Sequence, residues 1–287
     1  MKKIARIVRN AKSHWVGDGF PVRNIFSYTR FGAELSPFLL LDYAGPADFD
    51  PSNQPRGVGE HPHRGFETVT MVYAGEIEHR DSSGGGGLIG PGDVQWMTAA
   101  AGLVHEEMHG REFTKRGGTL TMVQLWVNLP AKDKIAPPAY QNITSAQIPR
   151  VALPEDAGSV RVIAGSYGDV RGPAHTFTPV NVWDVDLKAG RHAEFRVPTG
   201  HTTALVVLRG CVRLGTGETA SEAELAVFER VGDAIAVEAV DDTKLVLLDG
   251  KQIDEPIAGH GPFVMNSDSE IQQAIEDFKA GRMGHLQ

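Results

Sequence analysis

Apolar and polar positions alternate in short runs along most of the chain, and each run is closed by Gly, Pro, Asn or Asp. A period of two with such boundaries predicts strands. The runs fall at 67–73, 75–80, 93–97, 103–108 and 119–128 in the first half. In the second half they fall at 160–164, 180–187, 193–197, 203–208, 211–214, 224–231, 234–240 and 244–248. Turn signals roughly every 8–12 residues are the spacing of an all-β sandwich or barrel. One segment changes period. Ser267 and Glu270 form a capping box, and Ile271, Ala274, Ile275 and Phe278 then recur at helical spacing, with Gly281 placed to close the helix. Its apolar stripe predicts a short C-terminal helix docked on a β domain.

The two halves repeat each other faintly. Gly75 in VYAGEIEHR matches Gly210 in VLRGCVRLG, and Gly92-Asp93 matches Gly232-Asp233, which suggests a duplicated β domain. Between the halves, the polar stretch 131–141 with Pro137-Pro138 reads as a stiff connector. The expected division is a first domain at 1–135, a linker at 136–150, a second domain at 151–255 and a C-terminal segment at 256–287.

Composition narrows the function classes. With 28 Lys and Arg against 36 Asp and Glu the net charge is −8, and no basic cluster offers a direct nucleic-acid footprint. Cys211 is the single cysteine, so neither an internal disulfide nor a thiolate metal cluster can form, and it reads as a small packed residue. No apolar run reaches the roughly 18 residues of a membrane span, and Arg6 and Arg9 interrupt the stretch behind the basic N-terminus. The expected location is cytoplasmic. The run Gly84–Gly87 lacks the Lys and helix of a phosphate loop and reads as a hairpin tip.

Candidate chemistry is concentrated in two places. In Glu60-His61-Pro62-His63, strand alternation points His61 and His63 to one face, about 6.5–7 Å apart along the chain. In Leu103-Val104-His105-Glu106-Glu107 the same alternation pairs His105 with Glu107 and turns Glu106 away. Three imidazoles and one carboxylate suit Fe(II), Mn, Ni, Cu or Zn better than Mg or Ca. Glu67 and His109 share these faces and could replace a ligand or support one; His79 is expected to lie too far along its hairpin. Trp96 and Trp126 read first as core residues.

At these residues the chain resembles the pirin family. The matching segments are HWVGDGFPVR (14–23), HPHRGFETVT (61–70), PGDVQWMTAAAGLVHEE (91–107), QLWVNLP (124–130) and DEPIAGHGPFVMN (254–266). The resemblance implies two tandem cupin barrels (double-stranded β-helix or jelly-roll), with the C-terminal segment packing back on the N-terminal one. It implies a metal, Fe(II) foremost, on His61, His63, His105 and Glu107. It also implies a quercetin 2,3-dioxygenase type of reaction, in which a flavonol ring is opened with release of carbon monoxide. Glu107 would then be both ligand and base. Phe66, Met71 and Trp126 are candidates to line an apolar mouth for a small aromatic substrate, with O2 as co-substrate. Alignment of the repeats places Arg196, Pro198, Leu245 and Leu247 in the four ligand slots of the second barrel, so no metal is expected there. Two alternatives stand beside this reading: a metal-dependent redox-sensing regulator without turnover, and an oxygenase of a non-flavonoid substrate. A monomer or weak dimer is expected, and no protein partner is indicated.

Overall fold

A computed structural model describes residues 1–215 and 217–286. The chain forms two compact β units, one made of 13–33, 38–145 and 253–287, the other of 1–12, 34–37 and 146–252. The first twelve strands are β1 (Ile4–Val8), β2 (Lys12–Val16), β3 (Phe20–Ser27), β4 (Phe38–Phe49), β5 (Gly57–His63) and β6 (Phe66–Ala74), then β7 (Ile77–Asp81), β8 (Gly86–Ile89), β9 (Val94–Thr98), β10 (Leu103–His109), β11 (Gly118–Asn128) and β12 (Ala139–Ile143). The first unit has a seven-stranded sheet in the order β12-β9-β6-β11-β4-β3-β2 and a four-stranded sheet in the order β5-β10-β7-β8.

The second unit repeats this connectivity. Its large sheet runs β1, Leu225–Phe228, Thr202–Arg209, Thr243–Gly250, Val180–Leu187, Gly158–Ala164 and Arg150–Ala152; its small sheet runs His192–Arg196, Ala234–Ala239, Cys211–Leu214 and Thr219–Ser221. Two expected boundaries change. Residues 1–12 fall in the second unit, because β1 supplies the edge strand beside Leu225–Phe228. Residues 139–143, expected within a linker, are a strand of the first unit paired with β9. Proline marks where the regular pattern stops, and here the residues just after Pro137-Pro138 resume it.

Gly75 and Gly210 occupy equivalent turns, with φ of 85° and 83°. Gly92 and Gly232 do not: one precedes β9, the other precedes Ala234–Ala239, which holds the place of β10. The second unit's counterparts of β5 and β10 are therefore His192–Arg196 and Ala234–Ala239. Their inward residues Phe195, Ile235 and Val237 are buried in one apolar cluster with Trp183 and Leu247. Leu245 and Leu247 belong to the counterpart of β11, and Arg196 and Pro198 are exposed. Hydrocarbon fills the interior that in the first unit holds polar groups.

The helix Asp268–Lys279 forms as its pattern predicts. Ser267 accepts from the Glu270 N–H, Glu270 reaches back to the N–H of Asn266, and Gly281 closes the end at φ 71°. Ile271 and Ala274 pack with Val104 of β10, Phe263, Met265 and Met283, so the helix covers the sheet that carries β5 and β10. Close approach also fixes Gly65: at φ 91°, a Cβ there would lie 2.0 Å from the carbonyl oxygen of Val264. No helix among the described residues is long and apolar enough to cross a membrane.

An ion pair between Arg64 and Asp277, 2.7 Å, ties the helix to the loop after β5. Hydrogen bonds from Arg64, Gln273 and Arg282 hold the Asp277 carboxyl down at about 2. A depressed carboxylate stabilises the fold above the unfolded value near 3.9, and that contribution is lost as pH falls towards 2. Asp277→Asn is expected to cost about 1 kcal/mol at pH 7, after allowance for solvent screening, and almost nothing near pH 2. Denaturant midpoints measured across this range check it; a pH-independent difference would assign the effect to packing.

Candidate metal centre

β5 is the edge strand of its sheet, which is why Pro62, with no N–H to donate, is tolerated between the two histidines. Opposite it, β10 pairs His105 with His61 and Leu103 with His63, and the register shifts between His105 and Glu107. Directly opposed side chains on one face lie about 5 Å apart. The imidazole centroids accordingly lie 4.2 Å apart for His61 and His105, and 4.9 Å apart for His61 with His63 and for His63 with His105. One ring nitrogen from each comes within 4.8 Å of the others.

Their tautomers fit an ion. Nδ1 of His61 is 2.8 Å from the Gly59 carbonyl oxygen and Nδ1 of His63 is 3.2 Å from that of Pro262. A carbonyl oxygen only accepts, so both Nδ1 atoms carry hydrogen and both Nε2 lone pairs are free. His105 is fully buried, and its Nε2 has no hydrogen-bond partner. An unpaired buried ring nitrogen is costly unless it faces a ligand. Burial, reinforced by the neighbouring imidazoles, drives His63 down to about 3 and holds His105 well below the usual histidine range, which keeps both neutral as ligation requires.

Glu107 does not join this triad in a single group. On its other side β10 pairs with β7, which sets Glu107 opposite His79, and a second cluster forms from His79, His105 and Glu107. His79 is thus at the centre, correcting the expectation that it lies too far along the hairpin. The Glu107 carboxylate is buried and held by three neighbours: Oε1 accepts from Gln95 Nε2 at 3.1 Å and lies 3.0 Å from Thr70 Oγ1, and Oε2 accepts from Gln124 Nε2 at 2.8 Å. Neither Gln95, Thr70 nor Gln124 was marked by the sequence, since lone polar residues inside strands carry no spacing signal.

The remaining candidates fall elsewhere. Glu106 points outward to Arg80, 2.9 Å away. His109 lies 2.9 Å from the Gly19 carbonyl oxygen through Nε2, packed among Phe20, Phe49 and Phe113. Glu67 lies on the face of β6 opposite to Thr70; it accepts from Thr98 at 2.8 Å, and burial pushes it up to about 7. Met71 is also on that opposite face and does not line the centre. Phe66 and Trp126 do: their rings lie 4.3 Å apart, and His63 is 5.1 Å from Phe66 and 5.3 Å from Trp126. Among the described residues both groups able to hold an ion lie in the first unit.

Family models for pirin and for the pirin C-terminal cupin domain match residues 19–127 and 182–284. The chain belongs to the pirin family. Its fold is accordingly two cupin barrels, each with the paired sheets described above. A Pseudomonas aeruginosa pirin relative, named provisionally as a quercetin 2,3-dioxygenase, is 61% identical over 282 residues, covering 98% of each chain. Human pirin is 37% identical over 256 residues, 87% of this chain and 83% of that protein. The crystal structure of a quercetin 2,3-dioxygenase from Acinetobacter baumannii superposes with a TM-score of 0.97 at 52% identity, over the full length of both chains. A bacterial pirin from Escherichia coli in complex with nickel(II) shares the fold, with a TM-score of 0.64 at 20% identity over 85% of this chain and 96% of that one.

Proposed function

We propose that this pirin is a mononuclear metal-dependent dioxygenase that opens the ring of flavonols such as quercetin and releases carbon monoxide. The observation that carries the reading is the convergence of three imidazoles of fixed tautomer, with the Nε2 of His105 buried and unpartnered. The names of the Pseudomonas and Acinetobacter relatives, at 61% and 52% identity, support the substrate class. His61, His63 and His105 would hold the ion, with Glu107 as the further donor. Three neutral nitrogens and one carboxylate suit Fe(II), Mn, Ni, Cu or Zn, and the pirin resemblance puts Fe(II) first among them. Such an ion supplies Lewis-acid polarisation of a bound oxygen and, when redox-active, electron exchange with O2.

The chain's own groups account for the remainder. Glu107 is the proton acceptor for the flavonol 3-hydroxyl, and Gln95 and Gln124 keep its carboxylate aimed by donating to it. Phe66 and Trp126 present apolar ring surface beside His63, where an aromatic substrate gains stacking and loses water. Metal-loaded protein, prepared anaerobically with Fe(II), is expected to consume one O2 and release one carbon monoxide per quercetin. Uptake measured with an oxygen electrode, together with carbon monoxide capture by haemoglobin, checks it. Metal binding without either gas change would overturn the flavonol reading and leave the non-catalytic sensor and the oxygenase of a non-flavonoid substrate.

A further inference from the structure

β7 brings an Asp-His pair up behind His105 that the ligand set does not include. His79 and Asp81 alternate to one face and are both buried. His79 Nε2 lies 3.1 Å from Asp81 Oδ2, and its Nδ1 lies 3.2 Å from Nδ1 of His105. Tyr140 covers the pair, stacked on His79 at 4.9 Å with its ring plane tilted by 8°.

Counting hydrogens leaves one arrangement. Asp81 Oδ1 accepts from the Ser83 N–H, the Ser83 hydroxyl and the Gly85 N–H at 2.8, 2.6 and 2.9 Å, so the carboxylate is ionised and Oδ2 also accepts. His79 therefore carries its hydrogen on Nε2. Gln95 agrees: its Nε2 donates to the Glu107 carboxylate, which only accepts, and the same amide nitrogen faces Nδ1 of His79 at 3.3 Å, so that nitrogen offers its lone pair to Gln95 and His105 together. The facing Nδ1 of His105 then bears hydrogen, and its Nε2 is left with a lone pair.

Resting on the metal-site reading above, the geometry points to Asp81 and His79 as positioning residues that impose the metal-binding tautomer on His105. Asp81 sets His79, His79 sets His105, and the Nε2 of His105 is presented to the ion already deprotonated. Donation from Nδ1–H along a chain ending in a carboxylate also strengthens His105 as a ligand.

The test is cobalt(II) affinity by chelator competition, with the 1H NMR spectrum of the cobalt-loaded protein, on the full chain. In Asp81→Asn the Oδ1 contacts to the Ser83–Gly85 turn survive, but an amide N–H now faces His79. That flips His79 to the Nδ1–H tautomer, which opposes Nδ1–H on His105. A 10- to 100-fold loss of affinity is expected, with the hyperfine-shifted exchangeable N–H signal of His105 moved and broadened by faster exchange once its acceptor is gone. His79→Phe, which removes the acceptor but fills the space, is expected to fall in the same range. His79→Gln, which restores an acceptor oxygen, should recover most of the affinity. A parent that binds cobalt(II) while Asp81→Asn and His79→Phe bind within three-fold of it overturns this proposal alone. Equal losses in His79→Gln and His79→Phe overturn it too, since packing would then account for both. A parent that binds no cobalt(II) overturns the metal-site reading and this proposal with it.

Discussion

His105→Ala is expected to abolish stoichiometric ion binding and reduce oxygen uptake to background while the barrel stays folded. His105 is the one residue common to both potential ligand groups, and it is fully buried. Without it, His61 and His63 remain as two donors on an edge strand, and the opposing strand keeps only Glu107, which lies outside their group. Loss of one of three imidazole donors should weaken affinity by well over the roughly 10–100-fold seen for an outer partner. The fold should tolerate the change. The cavity costs on the order of 2–3 kcal/mol, partly offset because an unpaired buried nitrogen is removed with the ring. Metal content after anaerobic loading, affinity by chelator competition and circular dichroism together read the result. His109→Gln is the matched control: it alters a buried histidine on the same strand whose bond goes to the Gly19 carbonyl, and it should bind the ion as the parent does. One equivalent of metal bound by His105→Ala with parental affinity would remove the centre proposed here.

How much of this was legible beforehand follows from which relations are local. Alternation within a strand is a property of consecutive residues, so the shared faces of His61 with His63 and of His105 with Glu107 could be read directly. The opposition of His61 and His105 depends on strand pairing, and the register shift beside it cannot be seen in either strand alone. That shift, with β7 on the far side of β10, is what separates Glu107 from the triad and gives it to His79. His79-Arg80-Asp81 carries the same alternating signal as the two motifs that were recognised, and a search for every such pair would have found it. Tyr140 was hidden because Pro137-Pro138 reads as a connector, whereas the residues after it return to pair with β9. The strand β1 was misplaced for a related reason: sequence order assigns it to the nearer barrel, while Leu225–Phe228 offers the open edge that it closes. The repeat was real at Gly75 and Gly210, where a positive φ demands glycine, and misleading at Gly92 and Gly232, which serve different strands.

Glu107→Gln is expected to separate holding the ion from using it. The substitution keeps volume and one carbonyl oxygen but replaces an acceptor-only group with one that also donates. In the parent, Gln95 and Gln124 both aim N–H groups at the carboxylate, from 3.1 and 2.8 Å. An amide in its place sets donor against donor on one side, and Gln124 can turn only by breaking its 2.8 Å bond from Thr70. The group that should accept the substrate proton is then absent, and its aim is disturbed as well. Turnover of quercetin is expected to fall by about 10²–10⁴, the range for loss of a positioned base. The three imidazoles are untouched and the amide keeps one donor oxygen, so the ion should still bind, with affinity lower by on the order of 10- to 100-fold. Oxygen uptake at saturating quercetin, measured on samples matched for metal content, is the deciding comparison. Undiminished turnover would place the base elsewhere. A loss fully restored by added metal would make Glu107 a ligand whose charge matters only for holding the ion. A loss that persists at full occupancy would assign the carboxylate to the proton.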